Sequence, residues 1–253
     1  MSSPPVFVEP RVPAETDTET GLPIGPLLAK SEPALLPDRQ VIEGRYCRLE
    51  PLDPGRHSED LFIASTPDDA KKRFLYLPDL VPDSVEQMRQ WTEHAASLED
   101  PRFYAVIDRA TDRVAGRQSF LNISPQQQSI EIGHIYWGPA IAGTRVSTEA
   151  NYLFAKMAFE SWGYRRFEWK CNALNQPSRQ AALRLGFSYE GHFRRAAIVH
   201  GRSRDTSWFS MIDEDWAVLK PAYEQWLDPQ NFAENGQQMS RLSELSAAAL
   251  GQR

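Results

Sequence analysis

The stretch that decides the fold runs from Glu131 to Phe187: Glu131-Ile-Gly-His134-Ile-Tyr-Trp137, then Gly138-Pro-Ala-Ile141-Ala142-Gly143-Thr144-Arg145, then Val146-Ser147-Thr148-Glu149-Ala150 onward to Trp162, then Phe167-Glu-Trp169-Lys-Cys171, then Asn172-Ala-Leu-Asn175-Gln-Pro-Ser178 and Leu185-Gly186-Phe187. It reads as strand, irregular loop, helix, strand, Asn-rich loop and short helix. A Gly-containing loop that opens directly into a helix presents free backbone N–H groups and the positive end of the helix dipole. Such a loop seats a pyrophosphate.

Outward from this segment the chain alternates between strand and helix signals. Val41–Leu52 reads as a first strand, Pro54–Ser65 as a helix, and Asp83-Ser84-Val85-Glu86 as the capped start of a second helix running to about Leu98. Phe103–Asp108, Val114–Asn122 and Ile130–Trp137 read as three antiparallel strands, with turns at 110–113 and 125–128. Beyond Phe187, Tyr189–Val199 and Arg204–Ile212 form a hairpin around 200–202, and Asp213–Leu227 closes the pattern as a helix. The expected fold is α/β (α+β): a mixed, mostly antiparallel sheet with helices on both faces. Three regions follow: a Pro-rich extended arm over 1–40, a folded domain over 41–232, and a polar tail over 233–253. The arm holds eight of the chain's 19 prolines, six acids and three bases, a composition that packs poorly. Its apolar patches Val6–Val8 and Leu22–Leu28 could lie across the body or a neighbouring subunit, and the bland reading is a loose tail. Met239, Leu242, Leu245 and Leu250 could form one weakly amphipathic helix, solvated or docked on a partner.

Composition excludes several classes. With 253 residues the chain can bury a sizeable core, and its formal charge of −6 gives no basic excess for nucleic acid. Two cysteines, Cys47 and Cys171, make neither a disulfide framework nor a Cys-based zinc site, so a reducing cytoplasm fits. There is no apolar run of about 18 residues, and no membrane partner is expected. The histidines lack metal-ligand spacing, so no metal is expected. No Gly-x-x-x-x-Gly-Lys-Ser/Thr motif supports a kinase or ligase.

Thr148-Glu149-Ala150, Asn175-x-x-Ser178, Leu185-Gly186-Phe187, Glu190-Gly191 and Asp205 together resemble the acetyl-CoA-binding core of the GNAT N-acetyltransferases, most of all the RimJ/RimL branch. Arg145, Trp169-Lys-Cys-Asn172 and Asp205-Thr-Ser-Trp208 further resemble the acetyltransferase domain of microcin C self-immunity proteins. The resemblance covers roughly 41–232. It implies a splay between two parallel strands, Ile130–Trp137 and Phe167–Cys171, that admits the cofactor's pantetheine arm. It implies acetyl-CoA as cosubstrate and a primary amine as acceptor, either a protein N-terminus or an aminoacyl-type small molecule. Ile141, Ala142, Gly143, Thr144, Arg145, Val146 and Ser147 would hold the pyrophosphate. Trp137, Asn172, Asn175 and Ser178 would complete the cofactor site, with Asn175 ordering its loop. The family's phosphate loop reads Arg/Gln-x-x-Gly-x-Gly/Ala, and here Ala142, Arg145 and Ser147 occupy those positions. Arg145 either blocks the backbone approach that Gly allows or supplies a guanidinium to a phosphate; the second is the expectation.

The chemistry needs a neutral amine, a polarised carbonyl and a protonated leaving thiolate. An α-amine with pKa near 7.8 is roughly a tenth neutral at pH 7, against about one part in two thousand for a lysine near 10.4. An α-amine therefore needs only a modest base. Candidates are Glu131, His134 and Asp205. The first two differ by an odd number along one strand, so only one is expected to face the site. His134 could equally be a satisfied sheet histidine, and Asp205 a structural acceptor. Ser178 is expected either to donate to the leaving sulfur or to cap the short helix. The tryptophans Trp137, Trp169 and Trp208 fit core packing or acceptor stacking. Arg194, Arg195, Arg202 and Arg204 fit a solvated hairpin or an anion-binding mouth. A non-catalytic acyl-CoA-binding or interaction module is the rival reading. Arm and tail are compatible with a homodimer.

Overall fold

The structure is a computed structural model that describes residues 12–251; the Val6–Val8 patch lies outside the described residues. Residues up to Glu32 form a unit of their own, in which β1 (Glu15–Thr16) pairs antiparallel with β2 (Pro23–Ile24). The Asp17 carboxylate holds the intervening turn, accepting from the Glu19 amide and the Thr20 hydroxyl.

The body begins at Pro33, earlier than the expected boundary at 41. Residues 33–40 are tied to it: Tyr104 donates its hydroxyl to the Asp38 carbonyl at 2.9 Å, and Arg39 donates to the carbonyls of Ala96 and Leu98. The body contains β3 (Ile42–Glu43), β4 (Cys47–Pro51), α1 (Pro54–Ser65), α2 (Ala70–Phe74), α3 (Val85–Ser97), β5 (Arg102–Asp108), β6 (Arg113–Ser124), β7 (Ser129–Trp137) and α4 (Arg145–Lys156). It continues with β8 (Arg166–Asn172), α5 (Gln176–Arg184), β9 (Ser188–Val199), β10 (Arg202–Ile212), α6 (Asp213–Leu227) and α7 (Leu242–Leu250). Helix starts follow their caps: Asp53 accepts from the Arg56 amide at α1, and Ser84 from the Gln87 amide at α3.

Eight strands form one sheet in the order β3-β4-β5-β6-β7-β8-β10-β9. Every pairing is antiparallel except β7 with β8, so the expected mixed, mostly antiparallel sheet is present. Strand β5 is buried on both faces and serves two cores. Phe103, Ala105 and Ile107 join Leu61 of α1 with Met88 and Ala95 of α3, whereas Tyr104 and Val106 join α4 and α6 through Phe154, Leu219 and Tyr223. This period-two division places α1 and α3 on one side of the sheet and α4 and α6 on the other. Among the tryptophans, Trp162, Trp169, Trp216 and Trp226 are core residues.

Two expectations are corrected, and one element was not foreseen. The single strand over Val41–Leu52 is a hairpin, broken at 44–46. The buried Glu149 carboxylate of α4 causes the break by accepting the backbone amides of Arg45, Tyr46 and Cys47 at 2.8, 2.6 and 2.8 Å. Gly44 allows the approach, since a Cβ there would stand 2.5 Å from a Glu149 oxygen. The polar tail is not a solvated helix, because α7 packs on α6 and α5 of its own chain with Leu242 fully buried. Finally, α2 carried no sequence signal of its own.

Glu149→Ala would strand three buried amide donors. It should cost about 3 kcal/mol or more, read as a lower urea midpoint at unchanged slope; a cost below about 1 kcal/mol would reject the clamp.

Candidate active site

The parallel pairing of β7 with β8 runs from Ser129–Arg166 to Ile132–Trp169 and stops there, although β7 continues to Trp137 and β8 to Asn172. Beyond that point the strands part and open a cleft of about 560 Å³. The loop before α4 contributes Ala142, Gly143 and, in the first turn of the helix, Ser147; β7 contributes Glu131, His134 and Trp137; β8 contributes Trp169, Lys170, Cys171 and Asn172. Asn175, Ser178 and Arg184 enter from the α5 region, and Arg204 from β10. The splay predicted between these two strands is therefore present.

At α4, Thr144 is the N-cap. Its hydroxyl oxygen accepts from the Val146 amide at 3.2 Å, and its carbonyl accepts from the Ser147 and Thr148 hydroxyls. Gly143 has φ 75°, and nothing lies within 4 Å of where a Cβ would be, so the backbone is open at the helix's positive end. These features fit a phosphorylated cofactor. Ile141 and Val146 are buried, outside the cleft lining, and lock the loop from beneath. Arg145 is a correction: its guanidinium lies over Tyr46 at 4.7 Å and Phe232 at 5.5 Å, and the residue does not line the cleft. Those two rings face each other edge-on and offer a cation a better seat than bulk water.

The Ser178 hydroxyl accepts from Trp169 Nε1 at 3.1 Å. That bond fixes the oxygen at the cleft wall. Burial pushes the neighbouring Cys171 thiol up, against a hydrogen bond from Ser178 that lowers it. Ser178 is not the helix cap: Asn175 is, accepting the Ser178 amide at 3.2 Å. The Asn172 side chain accepts the Leu174 amide, so both asparagines shape the β8–α5 turn while lining the cleft.

Glu131 and His134 both line the cleft, against the parity expectation. Ser119 pairs with Gly133 and Arg117 with Tyr136, so Gln118 alone opposes His134 and Ile135. His134 takes φ 48° in this bulge, and the extra residue resets the alternation of faces. Glu131 is committed to partners: it accepts from Asn122 Nδ2 at 2.6 Å and pairs with Lys170 Nζ at 2.8 Å. Burial pushes the Glu131 carboxyl up against the pull of Lys170. Burial pulls Lys170 down, and the Glu131 and Glu168 carboxylates more than offset it. The His134 Nδ1 is buried and has no hydrogen-bond partner among the described residues. Burial first, then Arg117, holds His134 below the ordinary imidazole range. Arg117 is itself fixed behind it, pairing with Asp79 at 2.6 Å and lying over Trp91 at 4.1 Å. Asp205 does not line the cleft. It accepts the Arg195 amide at 2.7 Å where β9 and β10 slip register, which is the structural-acceptor role.

Three cleft residues went unnoticed as site residues: Arg184, Lys170 and Trp169 as the holder of Ser178. Helical spacing carried a signal for the first, since Pro177, Ala181 and Arg184 recur every three or four residues along α5. Among the described residues there is no group of three or more His, Cys, Asp or Glu that could hold a metal, and no helix long and apolar enough to cross a membrane.

A splayed parallel pair, a helix N-terminus at its mouth and a half-buried serine beside the opening are the features of an acyltransferase. Comparison with known proteins agrees: residues 47–188 match the family model described as the acetyltransferase (GNAT) domain, and the chain belongs to that family. It is 46% identical to a GCN5-related N-acetyltransferase from Brucella melitensis, over 87% of this chain and 99% of that one, with a TM-score of 0.85. A probable GNAT acetyltransferase from Chromobacterium violaceum is 36% identical, over 78% and 98% of the two chains, with a TM-score of 0.72. The ribosomal-protein-serine acetyltransferase of Escherichia coli (strain K12) is 31% identical over 102 residues, which is 40% of this chain and 56% of that enzyme. The match thus spans little more than half of that relative's length, and its name agrees with the RimJ/RimL resemblance of the motifs.

Because the Arg145 guanidinium sits on aromatic rings, Arg145→Ala should leave CoA affinity within about twofold while lowering stability by about 0.5–1 kcal/mol. Calorimetric titration and thermal melting check the two halves. A tenfold loss of CoA affinity would restore Arg145 to the phosphate.

Proposed function

We propose that the protein transfers acetyl from acetyl-CoA directly to a primary α-amine, with Ser178 as the acid and His134 as the base. The observation that carries this reading is the opening of the β7–β8 pair beyond Ile132–Trp169, with Ser178 and His134 on opposite walls of one cleft. Acetyl-CoA supplies an activated acyl group on a sulfur leaving group. The α4 loop and its amides would hold the phosphates, and the Ser178 hydroxyl, fixed at its oxygen by Trp169 and lining the cleft, would donate its proton to the departing thiolate. His134 is the base of choice over Glu131, because its Nδ1 is unengaged whereas Glu131 is held by Lys170 and Asn122. A neutral imidazole suffices for an α-amine, which is already partly neutral near pH 7. The E. coli relative's name points to a serine of a ribosomal protein, and with the α-amine reading to a protein N-terminus as acceptor; an aminoacyl-type small molecule is the other class that the resemblance implies.

The deciding experiment is acceptor-dependent release of free thiol from acetyl-CoA, across α-amino peptides, aminoacyl sulfamoyl-adenosines, polyamines and aminoglycosides. Release with α-amines supports the reading. CoA binding without release for any acceptor would favour the non-catalytic module.

Two variants test the roles. Ser178→Ala should lower kcat about ten- to a hundredfold with little change in CoA affinity. Protonation of His134 would abolish its function as base, and burial lowers its pKa, so the acid limb of kcat/KM should lie below pH 6.5. His134→Gln should remove that limb; an unchanged pH profile would transfer the role elsewhere.

A further inference from the structure

A pyrophosphate carries two negative charges, and backbone amides alone supply only partial positive charge. The α4 loop brings no side-chain cation to the cleft, since residue 142 is alanine and Arg145 is turned onto Tyr46 and Phe232. A guanidinium arrives from another element. Arg184, the last residue of α5, lines the same cleft as Gly143 and Ser147. Its Nη1 donates to Thr148 Oγ1 at 3.1 Å, in the first turn of α4, and its Cζ lies 5.1 Å from the centre of the Trp226 ring.

Two of the other cations in this cleft are neutralised within the protein: Lys170 pairs with Glu131 and Glu168, and Arg73 with Asp69. A third, Arg204, enters from β10, where its charge acts on His134 and Cys171. Arg184 has no carboxylate partner among the described residues. Burial pulls it below the ordinary guanidinium range, opposed only by Tyr223. Removing a cation from water without a counterion is costly. Stacking on Trp226 and one hydrogen bond to Thr148 fix its position and use one of its five N–H groups, leaving the others for a ligand.

We propose that Arg184 is the phosphate-binding cation of this cleft, its guanidinium taking the pyrophosphate of CoA at the first turn of α4. The inference rests on the acetyl-CoA reading above. Arg184 supplies from α5 the charge that positions 142 and 145 lack. The contact also ties α5, and with it Ser178, to α4 whenever the phosphate is in place.

Calorimetric titration of wild type, Arg184→Met and Arg184→Lys with CoA, dephospho-CoA and pantetheine tests this. Methionine keeps an apolar stem over Trp226 and removes the charge. Arg184→Met should weaken CoA and dephospho-CoA alike, by about ten- to a hundredfold, and leave pantetheine unchanged. Lysine should recover part of the loss. Inorganic pyrophosphate at low salt should raise the melting temperature of wild type and not that of Arg184→Met. Equal loss for pantetheine would show a merely structural role and overturn the proposal, as would no loss at all. A loss for CoA but not for dephospho-CoA would move Arg184 to the 3′-phosphate and overturn the pyrophosphate assignment. Failure of wild type to bind CoA would instead overturn the acetyl-CoA reading, and this proposal with it.

Discussion

One carboxylate organises the amino-terminal half of the body. Glu149 accepts three consecutive backbone amides, those of Arg45, Tyr46 and Cys47. A buried carboxylate must have its charge satisfied, and a chain turning sharply must satisfy its amides. Each requirement answers the other, and only a glycine at position 44 leaves room for the contact. The bond fixes the edge hairpin β3–β4 to the first turns of α4, the helix whose start borders the cleft. Tyr46 extends the attachment by donating its hydroxyl to the Leu227 carbonyl at 2.9 Å. The mouth of the cleft is thus held by an interaction that does not line it.

Much of the architecture was legible because it follows local rules. Strand alternation, the Ser84 cap and the loop before α4 were readable from residue types and spacing, and the splayed pair from the family resemblance. Two of the misreadings share one cause, which is a contact from distant sequence resetting a local pattern, and a third comes from an inserted residue. Glu149 breaks a strand that its own alternation supports. The bulge at His134 brings two residues of odd separation to one cleft, and period-two reasoning contains no term for an inserted residue. Arg145 sits in the loop where a phosphate ligand is expected, yet Tyr46 and Phe232 take its guanidinium.

The charge of the cleft is therefore distributed differently from the order of residues in its motif. A cation beside the phosphate loop in sequence faces aromatic rings, while one from the far end of α5 faces the cleft. Asn175 and Ser178 show a similar redistribution: the asparagine caps the helix and the serine is held by Trp169. In both cases residue type and approximate place were readable, whereas which side chain served which neighbour depended on tertiary packing.

The docking of α7 has a consequence for how the protein can be handled and how it could tolerate change. Helix α5 carries both Ser178 and Arg184, packs on α7, and has a single fully buried residue of its own, Ala182. Helix α7 is in effect a splint for the wall of the cleft that carries Ser178 and Arg184. Removing α7 would take Leu242, Leu245 and Leu250 from the edge of the larger core, and α5, with so little burial of its own, would be the first element to loosen.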